Sequence, residues 1–256
     1  MRLRNVLATG ALVVSVAAQS ACGEATQTTE QPPEQTTGVV TSGDCPGEQA
    51  VVRRALDRSG LRVDVSGDGR LDKVAVASVP DAEEPCRGFV AVRVKGGSTY
   101  STHLFERAVP IKGLPAKIIG LPELGGRPGT QIVVDTRAAV DAVLGQMFTL
   151  ADGRLRVVAM PGVDDGTFIV EGGGVIYPHA AACTAQGQMV LSEAAQTRDG
   201  KRFRVTRRTY DVSGEPIRLV DPVKEKATVA LDELVSSFPE FDDPHWKACE
   251  GTVRRR

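Results

Sequence analysis

Aromatic side chains make up only 4% of the 256 residues, and tryptophan occurs once, as Trp246. So few rings argue against an aromatic glycan- or peptide-binding surface, for which Tyr177, Phe203, Tyr210 and Trp246 are the candidates. Histidine is nearly as scarce: His103, His179 and His245 are the only three. They lie far apart and match no zinc or triad pattern, so each is read as a scattered surface or core residue. Excess positive charge is also missing. Removing Arg2 and Arg4 with an N-terminal leader takes 31 basic residues to 29 against 32 acidic ones, a net charge of −3. Phosphate binding depends on clustered Lys and Arg, so nucleic acid is not expected as a partner, and Arg254-Arg-Arg256 reads as a solvated basic end. The sequence contains no Gly-x-Ser-x-Gly, phosphate loop or His-Glu-x-x-His.

What is present begins with an export signal. The basic start Met1-Arg-Leu-Arg4 precedes an apolar run, Val6 to Ala18, too short to span a bilayer but suited to the core of a secretory leader. Gln19-Ser-Ala-Cys22-Gly resembles a bacterial lipobox, with Gln19 where an aliphatic residue is usual. The resemblance implies cleavage after residue 21, lipidation of Cys22, and a protein held on the extracytoplasmic face of the cell membrane; an unlipidated secreted form is the alternative. Residues 24–44 are rich in Thr, Gln, Glu and Pro with few apolar side chains, a composition that cannot offset the entropy of ordering, so 22–44 is expected to be a tether. Together these features are similar to those of actinobacterial-type surface lipoproteins.

Four further cysteines, Cys45, Cys86, Cys183 and Cys249, are an even number in an oxidising compartment. Of the three connectivities, Cys45 with Cys86 and Cys183 with Cys249 is favoured, because each bridge closes one half of the body. Zinc is the lesser alternative, since no Cys-x-x-Cys pair exists.

Residues 45–253 read as one β-rich extracytoplasmic domain. Pro46 to Arg58 predicts a short helix ending at Gly60. Strands are expected at Lys73–Ser78, Phe89–Val94, Thr99–Phe105, Lys117–Leu121 and Gln131–Val134. Val143–Leu150 and Arg154–Val158 pair across Asp152-Gly153, a dipeptide that tolerates positive φ in a tight turn. The same device predicts a hairpin from Thr167–Val170 through Gly172-Gly-Gly174 to Val175–Tyr177. Gln188–Ser192 and Arg202–Tyr210 follow, joined through Asp199-Gly200, then Ile217–Leu219. Leu231, Leu234, Val235 and Phe238 have helical spacing and Pro239 stops them, so a C-terminal helix is expected. The fold class is mainly β: antiparallel hairpins in degenerate propeller-like blades or a β-sandwich.

The stretch with the strongest chemical signature is Asp64-Val-Ser-Gly-Asp-Gly-Arg-Leu-Asp72. Calcium takes six to eight oxygens, and a short loop supplies them from alternate positions with glycine at the sharp turn. An EF-hand would need a glutamate where Ala75 stands, which excludes it. Asp-x-Ser-x-Asp-Gly-x-x-Asp followed by an aliphatic strand resembles the calcium loop of FG-GAP/VCBS repeats, the units of integrin-α-like propellers. That likeness implies side-chain ligands at Asp64, Ser66, Asp68 and Asp72, a carbonyl ligand at Arg70, and a structural calcium ion. A fainter echo, Gly126-Arg127 followed by Ile132-Val-Val134, places Leu121, Glu123, Gly125 and Gly129 at the ligand positions, leaving one carboxylate and no second ion site.

The remaining candidates have plain structural readings. Asp164-Asp165 and Asp242-Asp243 read as solvated turns. Alternate residues of Arg202–Arg208 share one solvated face, and Tyr177, Phe203, Tyr210 and Trp246 are attributed mostly to the core. The expected function is non-catalytic, binding of a protein or glycan or organisation of the cell envelope, with an envelope hydrolase as the alternative. A concave pocket joining a histidine to Asp or Glu would favour the enzyme.

Overall fold

The computed structural model describes residues 39–40, 45–79, 81–83, 85–104, 116–135, 141–220, 225–242, 246–250 and 254–255. Cys22, Asp243, His245, the leader and all of the expected tether except Val39–Val40 lie outside the described residues.

The apolar runs of the N-terminal half form β1 (Val39–Val40), β2 (Leu61–Val63), β3 (Asp72–Ser78), β4 (Gly88–Arg93) and β5 (Thr99–His103). They assemble in the order β1-β5-β4-β3-β2, antiparallel except for the parallel pairing of β1 with β5. Helix α1 (Glu48–Arg58) covers one face of this sheet. Val52 and Leu56, one turn apart, pack on Ala75, Ala77, Phe89 and Ala91. The helix starts after Gly47, whose φ of 74° turns the chain, so Pro46 precedes the helix instead of lying in its first turn. The expected tether also needs one correction: Val39–Val40 is an edge strand of the body.

The second sheet contains β6 (Lys117–Gly120), β7 (Ile132–Asp135), β8 (Ala142–Ala151), β9 (Arg154–Val157), β10 (Thr167–Gly172), β11 (His179–Cys183), β12 (Met189–Gln196), β13 (Arg202–Asp211), β14 (Arg218–Leu219) and β15 (Glu225–Ala230). Its order is β14-β13-β12-β11-β10-β8-β7-β6, with β15 sharing one edge of β13 and β9 sharing one edge of β8. A last strand, β16 (Arg254–Arg255), pairs with β2, so part of the basic C-terminal end extends the first sheet.

Alternation along β7 explains how the sheets join. Ile132 and Val134 pack with Val74, Val90 and Val92 of the first sheet, whereas Val133 faces Met147, Phe168 and Met189 in a second core. A strand buried on both faces reads as an unbroken apolar run, as Ile132-Val-Val134 does. Bonds join Cys45 to Cys86 and Cys183 to Cys249, the favoured pairing.

Two elements differ from expectation. Val175–Tyr177 is part of a turn, and the returning strand is β11. Gly172, Gly173 and Gly174 all have positive φ, and Pro178 lacks the N–H a ladder position needs. The C-terminal helix shrinks to a 3-10 turn at Leu231–Glu233, the four-residue α2 (Leu234–Ser237) and a second 3-10 turn, Pro239–Phe241. Leu234 and Phe238 still anchor it on Phe203 and Val205.

Candidate functional site

The acidic loop connects β2 to β3 and is folded around its own carboxylates. Gly67 and Gly69 donate their N–H groups to the two oxygens of Asp64 at 2.7 and 2.8 Å. The Arg70 N–H donates to Asp68 Oδ1 at 2.8 Å. Asp72 is fully buried: Val65 and Ser66 donate to its Oδ2 at 3.0 and 2.9 Å, and Lys95 donates to Oδ1 at 3.0 Å. Asp72 thereby stitches the loop to the β4–β5 turn. Such charge-assisted bonds offset the desolvation of a buried carboxylate.

This arrangement fits only part of the ligand set implied by the resemblance. Among the described residues, no three His, Cys, Asp or Glu side chains are grouped closely enough to hold a metal ion. Asp68 is exposed, with Asp64 and Ser66 half-buried behind it; Asp64 Oδ1 also accepts from the Ser66 hydroxyl at 3.5 Å, so only Oδ2 keeps a lone pair beyond its amide bond. Asp72 points inward, to amides. The loop is also docked on its fainter echo. The Thr130 N–H donates to the Asp64 carbonyl at 2.7 Å, and a Cβ on Gly129 would come within 2.1 Å of the Val65 carbonyl oxygen.

A different constellation lies on the second sheet. His179 of β11 is directly opposite Glu193 of β12, and Leu191 is opposite Arg208 of β13. Residues 179, 191, 193 and 208 therefore share a face. Together with Leu144, Asp164, Thr167 and Phe168 they line a cavity of about 350 Å³. Arg208 Nη2 bonds Glu193 Oε1 at 3.2 Å. Burial lowers the His179 imidazole below its ordinary value of 6.5; Glu193 opposes that shift and Arg208 adds to it. The imidazole is thus neutral at neutral pH, with one donor and one acceptor nitrogen.

Ser192, adjacent in sequence, points to the other face. Its hydroxyl donates to Glu240 Oε1 at 2.6 Å, and Glu240 also accepts from Arg207 Nε at 2.9 Å. The arginine-rich strand is thus divided: Arg207 is pinned to the C-terminal segment and Arg208 lines the cavity, while Arg202 and Arg204 are exposed, as the solvated-face reading expected. His103 lies on the first sheet, remote in strand order from this cluster. Of the paired acids, Asp164 reaches the cavity and Asp165 occupies a 3-10 turn at φ 51°. Of the four aromatics, Phe203, Tyr210 and Trp246 are core residues, while Tyr177 is exposed.

Sequence reasoning missed this cluster because its members come from five strands and a 3-10 turn. The one available signal was a pairing register, which requires the strands to be placed correctly. No protein-family model, curated protein or solved structure matches the chain.

Proposed function

We propose that the protein is a non-catalytic, lipid-anchored, extracytoplasmic β-protein that works by binding, with its ligand seated in the cavity around His179, Glu193 and Arg208. The cavity itself carries this reading. It offers a half-buried neutral imidazole and a cation already paired with a carboxylate, against apolar walls from Leu191 and Phe168, the combination that orients a small polar ligand. A small carboxylate or phosphate monoester would exchange places with Glu193 on Arg208. The test is thermal stability of the protein across a series of such compounds. A rise in melting temperature that Arg208→Met removes supports the reading, and no rise with any of them sinks it.

The same cavity is the observation that favours an envelope hydrolase, with His179 as a base that takes a proton from water. Against it, the neighbouring Ser192 hydroxyl is committed to Glu240 and Glu193 to Arg208. Hydrolysis of ester or glycoside substrates abolished by His179→Gln would reverse the preference.

The loop is proposed to bind a structural calcium ion through Asp64, Ser66, Asp68 and the Arg70 carbonyl, supported by the oxygen spacing and the exposed Asp68, with Asp72 as its buried support instead of a ligand. An unchanged melting temperature on adding EDTA or calcium would remove that part. Lipidation at Cys22 is checked by mass spectrometry of the native N-terminus.

A further inference from the structure

Among the described residues six large apolar side chains are exposed, and five of them are Val175, Ile176, Tyr177, Leu231 and Val235. The strand register gathers them at one end of the second sheet. The Ala194 N–H donates to the Pro178 carbonyl and the Gln196 N–H to the Ile176 carbonyl, both at 2.9 Å. Val175–Tyr177 therefore runs alongside the end of β12. On the other side of the β12–β13 hairpin, Ala230 pairs with Arg202, which brings Leu231, and Val235 four residues on, to the same end. Between the two apolar groups lies the hairpin turn with Arg198, Lys201 and Arg202, all exposed.

The apolar tip is held in place, because Gly173 donates to the Asp141 carbonyl at 3.0 Å in addition to the two bonds from β12. Val175 is 78% exposed, Ile176 55% and Tyr177 57%, far more than a monomer gains from leaving such residues in water. The acids nearby are Asp141, whose Oδ2 lies 4.0 Å from where a Cβ on Gly174 would sit, Glu171, Asp199, Asp232 and Glu233. Asp199 is engaged within its own turn by the Thr197 hydroxyl and the Lys201 N–H, and Asp232 and Glu233 lie on the α2 side. By register Tyr177 falls opposite Ala195, which pairs with Arg204, so the tip has cations on its β12–β13 side and the Asp141 carboxylate on its β8 side.

We infer that this end of the second sheet docks on a bilayer carrying anionic phospholipid, with Val175–Tyr177 entering the headgroup boundary and Arg198, Lys201 and Arg202 meeting the phosphates. Tyrosine and aliphatic side chains partition into that boundary, and cations near them are drawn to an anionic leaflet. The docking does not need an acyl chain. If Cys22 is lipidated, the 17 residues from it to Val39 span at most about 60 Å, so the chemistry of the body decides which face meets the membrane.

The experiment uses the full chain with Cys22→Ser, which cannot be acylated, and adds a single reporter at either end of β13. Tyr177→Trp reports from the apolar tip. Val220→Trp reports from the far end, where Val220 donates to Thr209, about 23 Å along the strand from Arg202. Trp246 is buried and contributes equally to both. With phosphatidylglycerol vesicles brominated in the acyl chains, the Tyr177→Trp emission should be quenched several-fold more than that of Val220→Trp. Arg198→Glu, Lys201→Glu and Arg202→Glu together should abolish the difference. Equal quenching of the two reporters, or equal quenching on phosphatidylcholine alone, overturns the inference. So does concentration-dependent dimerisation, lost in Ile176→Ser, without quenching, which would assign the tip to a second copy. Unchanged melting temperatures of the reporter variants establish that each is folded.

Discussion

Arg207 and Glu240 are 33 positions apart in sequence and bonded at 2.9 Å, with the Glu240 side chain only 4% exposed. That bond ties the central arginine-rich strand to the segment following α2, and Ser192 adds a second donor to the same carboxylate oxygen. Glu240→Ala removes the carboxylate oxygen that both donors share. It is expected to destabilise the protein by about 2–4 kcal/mol, discounted for the partly exposed Arg207. Glu240→Gln, which keeps the acceptor and loses the charge, should cost clearly less. Urea unfolding midpoints measure both.

Asp72 and Asp68 differ in role although they belong to one motif. Asp72→Ala removes a buried acceptor of three amides and is expected to cost about 3 kcal/mol or more with or without calcium. Asp68→Ala, on the exposed turn, should change the melting temperature by little in EDTA and lower it only when calcium is present. A calcium-dependent loss confined to Asp72→Ala would reverse these assignments.

Gly129 has φ 81°, and an added Cβ would sit 2.1 Å from the Val65 carbonyl oxygen. Backbone cannot yield as a flexible side chain does. Gly129→Ala should therefore separate the acidic loop from its neighbour and cost roughly 2 kcal/mol or more, detected as faster amide exchange at Thr130.

His179 makes stability depend on pH. Its folded value lies below 6.5, chiefly through burial, so the unfolded chain binds its proton more readily as pH falls through the ordinary histidine range. Its contribution is fully present above that range and is lost on acidification. The stability difference between about pH 7.5 and 5.5 should be smaller in His179→Gln than in the parent. An unaltered difference would show that His179 is not the group responsible.

Each disulfide closes a long loop, 41 positions for Cys45–Cys86 and 66 for Cys183–Cys249. Chain-entropy arguments give about 4 kcal/mol for either. Replacing one pair by serine should lower the urea midpoint by a similar amount in the two cases, and replacing both should prevent folding at 37 °C or close to it.

Much of this architecture was legible in residue order because it depends on local periodicity. Apolar runs bounded by turn residues specify β3, β4 and β7, the Asp152-Gly153 turn specifies the β8–β9 hairpin, and an even number of cysteines through the body called for two bridges and favoured the pairing found. The Asp64–Asp72 loop could also be located, since a turn wrapped around carboxylates needs those residues at those intervals. Only the tertiary structure decided what each of them faces. Asp72 turns inward because Lys95, 23 positions later, arrives with a free amide. Val175–Tyr177, a run of strand-favouring residues, stays a turn because three positive-φ glycines and Pro178 deny it a ladder, which leaves its apolar side chains in solvent. His179, Glu193 and Arg208 meet because β11, β12 and β13 pair in one particular register, and a shift of a single residue would send each to the opposite face.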